Sequence, residues 1–197
     1  MILYKLSKMQ EKLNKDISKR HNLDMDDLYV KQKIALLVEL GELANEIKFF
    51  KYWKKKASPN MTVPCAPCHG RGHMNGFECT FCNGSGVDKN AVSPVLEEYV
   101  DGIHFILTIA LIKYRHSEEW LKDSLDRAEE KALEYQTLDA QFETLFYEIS
   151  KSLYSSLDFI IRLYMGLGRM LGFTEEEIYN AYIKKNRENF RRQERGY

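Results

Sequence analysis

Apolar residues recur at helical spacing along the first half of the chain. They follow a three- and four-residue period over 2–20 and 34–53, whereas alternation with a period of two is rare. Ser93 followed by Pro94 has the form of a helix N-cap with proline at the first helical position. The pattern therefore predicts a helix from 95 to about 114, after two earlier ones.

The second half of the chain continues the helical pattern. Ser117 has the form of another N-cap, and residues 120–171 predict two helices that meet near 137–140. Thr174, with Glu177 three residues later, has the form of a capping box at the start of a last helix. We therefore predict an all-α fold, a bundle of about five to six helices.

One segment interrupts this pattern. Residues 57–91 contain three of the four prolines and five of the eleven glycines, residues that favour turns over helix interiors. We predict that this segment is a loop inserted into a helical domain formed by 1–56 and 92–197.

All four cysteines lie in the predicted insertion. Cys65-x-x-Cys68-x-Gly-x-Gly is repeated fourteen positions later as Cys79-x-x-Cys82-x-Gly-x-Gly. Two such pairs provide the four thiolates of a tetrahedral Zn²⁺ site, with no open position for a reaction. The pattern resembles the Cys-rich repeats of DnaJ-type chaperones. We predict a structural Zn²⁺ that orders the insertion.

The balanced overall charge argues against two classes of binding partner. The chain has 29 basic and 29 acidic residues, so no global field favours nucleic acid or an anionic membrane. The first residues lack the apolar stretch of a signal peptide, and the longest apolar run, 105–112, is far too short to cross a bilayer. We expect a soluble cytoplasmic protein without a membrane partner or stable nucleic-acid binding.

Two pairs of acidic residues suggest a second kind of metal site. Glu39, Glu42 and Glu46 share one stripe of a predicted apolar helix, and Glu98 and Asp101 repeat the three-residue offset on another. A single pair of this kind is usually a solvated face. Two pairs on apolar helices favour a cation instead, and hard oxygen ligands suit Mg²⁺, which substrate phosphates often complete.

These acidic pairs and both chain ends resemble one enzyme family, the all-α nucleoside triphosphate pyrophosphohydrolases of the MazG-like superfamily. They resemble in particular the dimeric dUTPases and the related phage dCTP/dUTP pyrophosphatases. The resemblance rests on Glu39-x-x-Glu42, on Glu98-x-x-Asp101 followed by His104-Phe105, and on the end segments 9–14 and 185–197.

The resemblance implies a homodimeric enzyme that cleaves dUTP to dUMP and pyrophosphate. Mg²⁺ would be bound by Glu39, Glu42, Glu98 and Asp101, and we expect Glu42 to accept the proton of the attacking water. Gln10 and Asn14 would face the base, and Phe105 would lie against the deoxyribose. The remaining nucleotide and phosphate contacts would come from Lys185, Asn189, Arg192 and Tyr197.

Other residues allow two interpretations. Lys51 and Trp53 belong to a block of lysines and aromatics that either contacts the triphosphate and base or simply ends a helix. His104 either touches the nucleotide or is a core residue, and we favour the core.

The function also has alternatives. In one alternative, the substrate is dCTP, alone or beside dUTP. In another, the enzyme accepts a broad range of nucleotides, as MazG-like enzymes do. In a different class of function, the helices are a non-catalytic scaffold whose zinc loop binds nucleic acid or protein. In an enzyme, the loop would serve as a lid, a dimer contact or a partner-binding element.

Overall fold

The computed structural model describes residues 1–55, 58–151 and 153–196. It confirms the all-α prediction: two two-residue strands, β1 (His73–Met74) and β2 (Phe77–Glu78), are the only strands among these residues. The described residues contain seven α-helices: α1 (Leu3–His21), α2 (Tyr29–Ile47), α3 (Pro94–Lys113), α4 (Glu118–Glu130), α5 (Leu138–Lys151), α6 (Leu153–Met170) and α7 (Glu175–Glu194). A short 3₁₀ helix, Asp26–Leu28, precedes α2. Each of these helices is too short or too polar to span a bilayer.

Helix α3 is the centre of the bundle. Most of its residues are buried, and α1, α2, α6 and α7 all pack against it. The contact with α6 is especially close at Gly102, because a Cβ there would overlap the hydroxyl oxygen of Tyr164 at 2.0 Å. That hydroxyl donates to the Tyr99 carbonyl at 2.9 Å, and the Tyr99 hydroxyl donates to the Tyr164 carbonyl at 3.2 Å. These two reciprocal hydrogen bonds hold α3 against α6 near Asp101.

The predicted helix starts are present. The side chains of Ser93 and Ser117 each accept a hydrogen bond from the backbone N–H three residues on. Thr174 and Glu177 form the complete capping box at the start of α7. These caps satisfy N–H groups that have no partner within the helix.

Two helix boundaries differ from the predicted pattern. Helix α2 ends at Ile47 rather than near 53, because Lys48 takes a left-handed conformation (φ 65°) and its N–H bonds to the Ala44 carbonyl. We predicted two helices over 120–171, and the structure has three there: most of α4, and all of α5 and α6. The predicted break near 137–140 is present, where the Thr137 hydroxyl caps the start of α5.

The predicted insertion leaves the bundle between α2 and α3 through a short antiparallel stem. The Cys65 N–H donates to the Gly86 carbonyl at 2.8 Å, and the Asp88 N–H donates to the Val63 carbonyl at 2.9 Å. Asn60 joins the stem to both helices: its backbone N–H donates to the Glu46 carbonyl at 3.1 Å, and its carbonyl accepts from Val95 at 3.5 Å. The stem is therefore anchored to the two helices that carry the acidic pairs.

Candidate active site

Three carboxylates from α2 and α3 come together in the structure. One oxygen from each of Glu39, Glu98 and Asp101 lies within 4.8 Å of the others, and all three side chains are half-buried. The three-residue offset places Glu98 and Asp101 on one face of α3, opposite Glu39 on α2. Glu42 is exposed one turn beyond Glu39, close enough for its charge to act on both glutamates.

The electrostatics of this cluster favour a bound cation. Burial, followed by the neighbouring charges of Asp101, Glu42 and Glu98, raises the pKa of Glu39 to about 8. Burial and the charges of Asp101 and Glu42 raise the pKa of Glu98 to about 7. Repulsion between neighbouring carboxylates opposes their ionisation, and a divalent cation relieves it. The donor set, all carboxylate oxygen, fits Mg²⁺.

Lys185 of α7 provides a positive charge at the edge of the cluster. Its Nζ lies 2.5 Å from Asp101 Oδ2 and 3.0 Å from Glu97 Oε1. Burial lowers the pKa of Lys185, but the bonds to Asp101 and Glu97 outweigh burial and raise it overall. Burial raises the pKa of Asp101, and Lys185 partly opposes that shift. Lys185 is therefore charged and in contact with a carboxylate of the cluster.

A cavity of about 210 Å³ lies one helical turn from the carboxylates. His104 and Phe105 follow Asp101 by three and four positions on α3, and Asn189 and Arg192 follow Lys185 by four and seven on α7. The cavity is lined by these four residues and by others from α1, α2, α3, α7 and the 3₁₀ segment: Gln10, Leu13, Asn14, Ile17, Met25, Leu28, Gln32, Thr108 and Gln193. It thus brings together five of the predicted nucleotide-binding residues, from three helices.

A buried hydrogen-bond network orients two amides at this cavity. The Thr108 hydroxyl donates to the His104 carbonyl at 3.0 Å, so its oxygen is free to accept from Gln10 Nε2 at 3.1 Å. Gln10 Nε2 also donates to Asn14 Oδ1 at 2.9 Å. The amide of Asn14 therefore has its oxygen bonded inside the protein, and its NH₂ group has no partner within the described part of the chain.

His104 and Tyr182 complete the network from the other side. His104 Nδ1 lies 2.7 Å from Gln10 Oε1, and the Tyr182 hydroxyl donates to the same oxygen at 2.6 Å. The two rings stack with centroids 4.0 Å apart. Burial, followed by the charge of Lys185, lowers the pKa of His104 to about 3, so the ring is neutral and Nδ1–H donates. Gln10 thus has both oxygen lone pairs and both N–H groups bonded within the protein.

The four thiols of the insertion form a second cluster. The sulfurs of Cys65, Cys68, Cys79 and Cys82 all lie within 4.8 Å of one another, and all four residues are buried. The Gly72 N–H donates to Cys68 Sγ, and the Gly86 N–H donates to Cys82 Sγ, both at 3.3 Å. Burial raises the pKa of Cys68, but the Gly72 amide and the neighbouring thiols outweigh it and bring the pKa to about 7. The four sulfurs could hold one metal ion, and four thiolates suit tetrahedral Zn²⁺.

The glycines of the insertion pack the two Cys repeats against each other. Gly72 and Gly86 both have positive φ, and a Cβ on Gly86 would lie 2.4 Å from the Gly70 carbonyl oxygen. A Cβ on Gly72 would lie 2.2 Å from the Gly84 carbonyl oxygen. A side chain at either position would separate the repeats and their sulfurs.

Comparison with known proteins identifies the family. A family model described as dUTPase matches residues 2–64 and 84–197. The chain belongs to this dUTPase family. A search of curated proteins found no match to the chain. The dUTPase match includes both acidic pairs and the residues that line the cavity, and it omits 65–83, which contains all four cysteines. Family membership supports a nucleotide pyrophosphatase.

Lys51 and Trp53, which we expected at the nucleotide, belong neither to the lining of this cavity nor to the carboxylate cluster. Lys51 Nζ lies 3.4 Å from the Asn45 carbonyl oxygen near the end of α2, and Trp53 is 60% exposed and packs edge-on against Phe50. Tyr197 lies outside the described residues. The aromatic block is not part of a helix, because α2 ends before it. Of its rings, Phe49 packs into the core.

The network also contains residues that we did not predict at the site. We favoured a core role for His104, and the structure shows it buried but bonded to Gln10 and lining the cavity. Thr108 follows His104 by one turn, a spacing that would have indicated it. No local signal indicated Tyr182, because 172 positions separate it from Gln10. The candidate site is thus assembled largely by contacts between residues far apart in the sequence.

Proposed function

We propose that the protein is a Mg²⁺-dependent dUTP pyrophosphohydrolase that forms dUMP and pyrophosphate. The observation that carries the proposal is the convergence of Glu39, Glu98 and Asp101 one turn from the cavity. Membership of the dUTPase family supports the reaction class. In this proposal the base lies in the cavity beside Asn14 and Phe105, and the phosphates lie near the carboxylates.

The residues of the chain divide the chemistry between them. Glu39, Glu98 and Asp101, joined by Glu42, would bind Mg²⁺, which when bound neutralises phosphate oxygens and makes water more acidic. Glu42 is the most exposed of the four acids and accepts the proton of the attacking water. Lys185 and Arg192 offset the negative charge of the phosphates.

The orientation of Asn14 favours uracil over cytosine. Its NH₂ group is the part left for a ligand, because its oxygen is bonded to Gln10. An NH₂ donor complements the O4 carbonyl of uracil and opposes the amino group that cytosine carries at the same position. We therefore propose dUTP as the preferred substrate, and dCTP or a broad range of nucleotides as the alternatives. Gln10 acts by orienting Asn14 rather than by touching the base.

A pyrophosphate-release assay with dUTP, dCTP, dTTP and dATP in Mg²⁺ tests this function. We expect dUTP to be cleaved fastest and Glu42→Gln to reduce turnover by about 10²- to 10⁴-fold. Glu130→Gln, which alters an exposed glutamate of α4, is the matched control. Faster cleavage of dCTP than of dUTP would contradict the proposal that dUTP is the preferred substrate. Absence of turnover with every nucleotide would instead favour the non-catalytic scaffold.

We propose further that the four cysteines bind one structural Zn²⁺ and that residues 57–91 are an insertion in a domain formed by 1–56 and 92–197. Support comes from the converging sulfurs and from the family match, which stops at 64 and resumes at 84. A closed shell of four thiolates leaves no position for substrate. Zn²⁺ therefore orders the insertion and takes no part in the reaction.

We also propose a homodimer that forms through α2. Val30, Ile34 and Val38 lie at four-residue spacing on this helix, and each is more than half exposed. A continuous apolar stripe of this kind marks a protein interface. Val38→Asp is expected to shift the mass measured by light scattering from that of two chains to that of one, whereas Lys31→Asp beside the stripe is expected to leave it unchanged.

A further inference from the structure

Glu46 lies on the same stripe of α2 as Glu39 and Glu42 but makes different contacts. It follows Glu39 by seven positions and Glu42 by four, and it is not one of the three clustered carboxylates. The Glu46 carboxylate instead accepts a hydrogen bond from Asn60 Nδ2, and the Glu46 backbone carbonyl accepts from the Asn60 N–H at 3.1 Å. Glu46 is therefore bonded twice to the stem of the insertion.

Lys48 holds the same stem residue from the end of α2. Its Nζ donates to Asn60 Oδ1 at 2.6 Å and to the Ser58 carbonyl at 3.1 Å. The Asn60 side chain is therefore bonded at both of its polar atoms, through its oxygen to a lysine and through its nitrogen to a carboxylate. Glu46, Lys48 and Asn60 are all half-buried, and we call these three residues the clamp.

The clamp also contacts α3, because the Asn60 carbonyl accepts from the Val95 N–H at 3.5 Å. That N–H belongs to the first turn of α3, where backbone donors have no partner within the helix. Val95 precedes Glu98 by three positions, and Glu46 follows Glu42 by four. The clamp thus lies about one helical turn from an acid on each of the two helices and joins them through one stem residue.

We propose that Asn60 is a positioning residue that holds α2 and α3 at the separation that Mg²⁺ requires. The proposal rests on the proposed function, and it assigns Glu46 to this bridge rather than to the metal. Carboxylates of the two helices repel each other across the cluster, which opposes the close approach of α2 and α3. Mg²⁺ demands near-octahedral geometry at short ligand distances. A bridge one turn away therefore keeps the acids of both helices close enough to bind the metal together.

Calorimetric titration of the full chain with Mg²⁺, in the absence of nucleotide, tests the bridge without requiring turnover. We expect Asn60→Ala to weaken Mg²⁺ binding about fivefold, because both side-chain bonds of the bridge are lost while its backbone bonds remain. Asn90→Ala, an exposed change in the segment that returns to α3, is the matched control and should bind Mg²⁺ as the wild type does. A lower melting temperature of Asn60→Ala with unchanged Mg²⁺ affinity would indicate a purely structural role and overturn the proposal.

Two changes at Glu46 separate positioning from metal binding. Glu46→Gln keeps a side-chain oxygen that can accept from Asn60 Nδ2, so we expect Mg²⁺ affinity within about twofold of the wild type. Glu46→Ala removes that oxygen and should weaken Mg²⁺ binding as Asn60→Ala does. The double variant should weaken it little further, because both changes break the same bond.

Equal weakening of Mg²⁺ binding by Glu46→Gln and Glu46→Ala would mark Glu46 as a direct metal ligand and overturn the proposal. Additive weakening in the double variant would also contradict it. Failure of the proposed function would be recognised separately, as a wild-type chain that binds Mg²⁺ in the titration but releases no pyrophosphate from any nucleotide.

Discussion

The thiol cluster of the insertion and the carboxylate cluster of the bundle have similar dimensions but differ in their burial and in the parts of the chain that form them. In each, the ligand atoms lie within 4.8 Å of one another. The four thiols are buried and come from one short segment, and together they would fill the coordination shell of the proposed Zn²⁺. The three carboxylates are half-buried, come from two helices and lie near a cavity, with Lys185 in contact with one of them.

The difference shows how a fold separates a structural site from a reactive one. Amide N–H groups donate to the sulfurs of Cys68 and Cys82, so the thiol cluster is satisfied by its own loop. The carboxylate cluster instead concentrates repelling charges that burial makes more costly. Lys185 offsets part of this charge from within the chain, and the proposed Mg²⁺ would offset more of it. Substitutions should therefore affect activity at one cluster and local folding at the other.

The largest effect is expected at the carboxylates. Glu98→Gln removes one ligand of the proposed Mg²⁺ site, and we expect the rate of dUTP cleavage to fall on the order of 10³-fold. The melting temperature of the metal-free protein should remain equal or rise, because one repelling charge is gone. Steady-state kinetics and thermal melting measure the two effects. Near-normal activity, or a fall no larger than that of Glu130→Gln, would contradict the catalytic role.

An intermediate effect is expected at the thiols. Cys68→Ser should lower bound zinc from about one equivalent per chain to less than half, because a structural Zn²⁺ site requires its full thiolate set. Limited proteolysis should then cut within 65–83 while the helical bundle stays folded, and dUTP turnover should persist. Thr80→Ala, an exposed change inside the second Cys repeat, should retain zinc. Unchanged zinc content in Cys68→Ser would refute the site.

The smallest effect is a dependence of stability on pH. The pKa of Glu39 is raised from 4.5 to about 8 in the folded protein, so the folded state binds more protons than the unfolded state between these values. Stability of the metal-free protein should therefore fall as pH rises from about 5 to 8. Mg²⁺ should reverse the fall, and Glu39→Gln should flatten it. A melting temperature that rises over this range in metal-free protein would contradict the assignment.

Local features of the fold were predictable from sequence, because the interactions that produce them span only a few residues. The Ser93, Ser117 and Thr174 caps each involve a partner three positions away. The Cys repeats are equally local. The end of α2 was not predictable, because Lys48 takes a left-handed conformation that is usual for glycine or asparagine.

The candidate site was predictable only in part, for the same reason. The three-residue offsets indicated which acids share a helix face, and the structure brings Glu39, Glu98 and Asp101 together. The bonding of Gln10 to His104 and Tyr182 depends on how α1, α3 and α7 pack, with 94 and 172 positions between partners.

The stem makes the insertion a suitable place to exchange one segment of the chain for another. Val63 and Asp88 are hydrogen-bonded neighbours, so the chain leaves and re-enters the bundle at a single point. Everything from 64 to 87 can in principle be exchanged for a short turn or a different module, because joining two adjacent ends places little strain on the helices. Chimaeras built at this point would carry a chosen recognition element a short distance from the opening of a nucleotide-processing site.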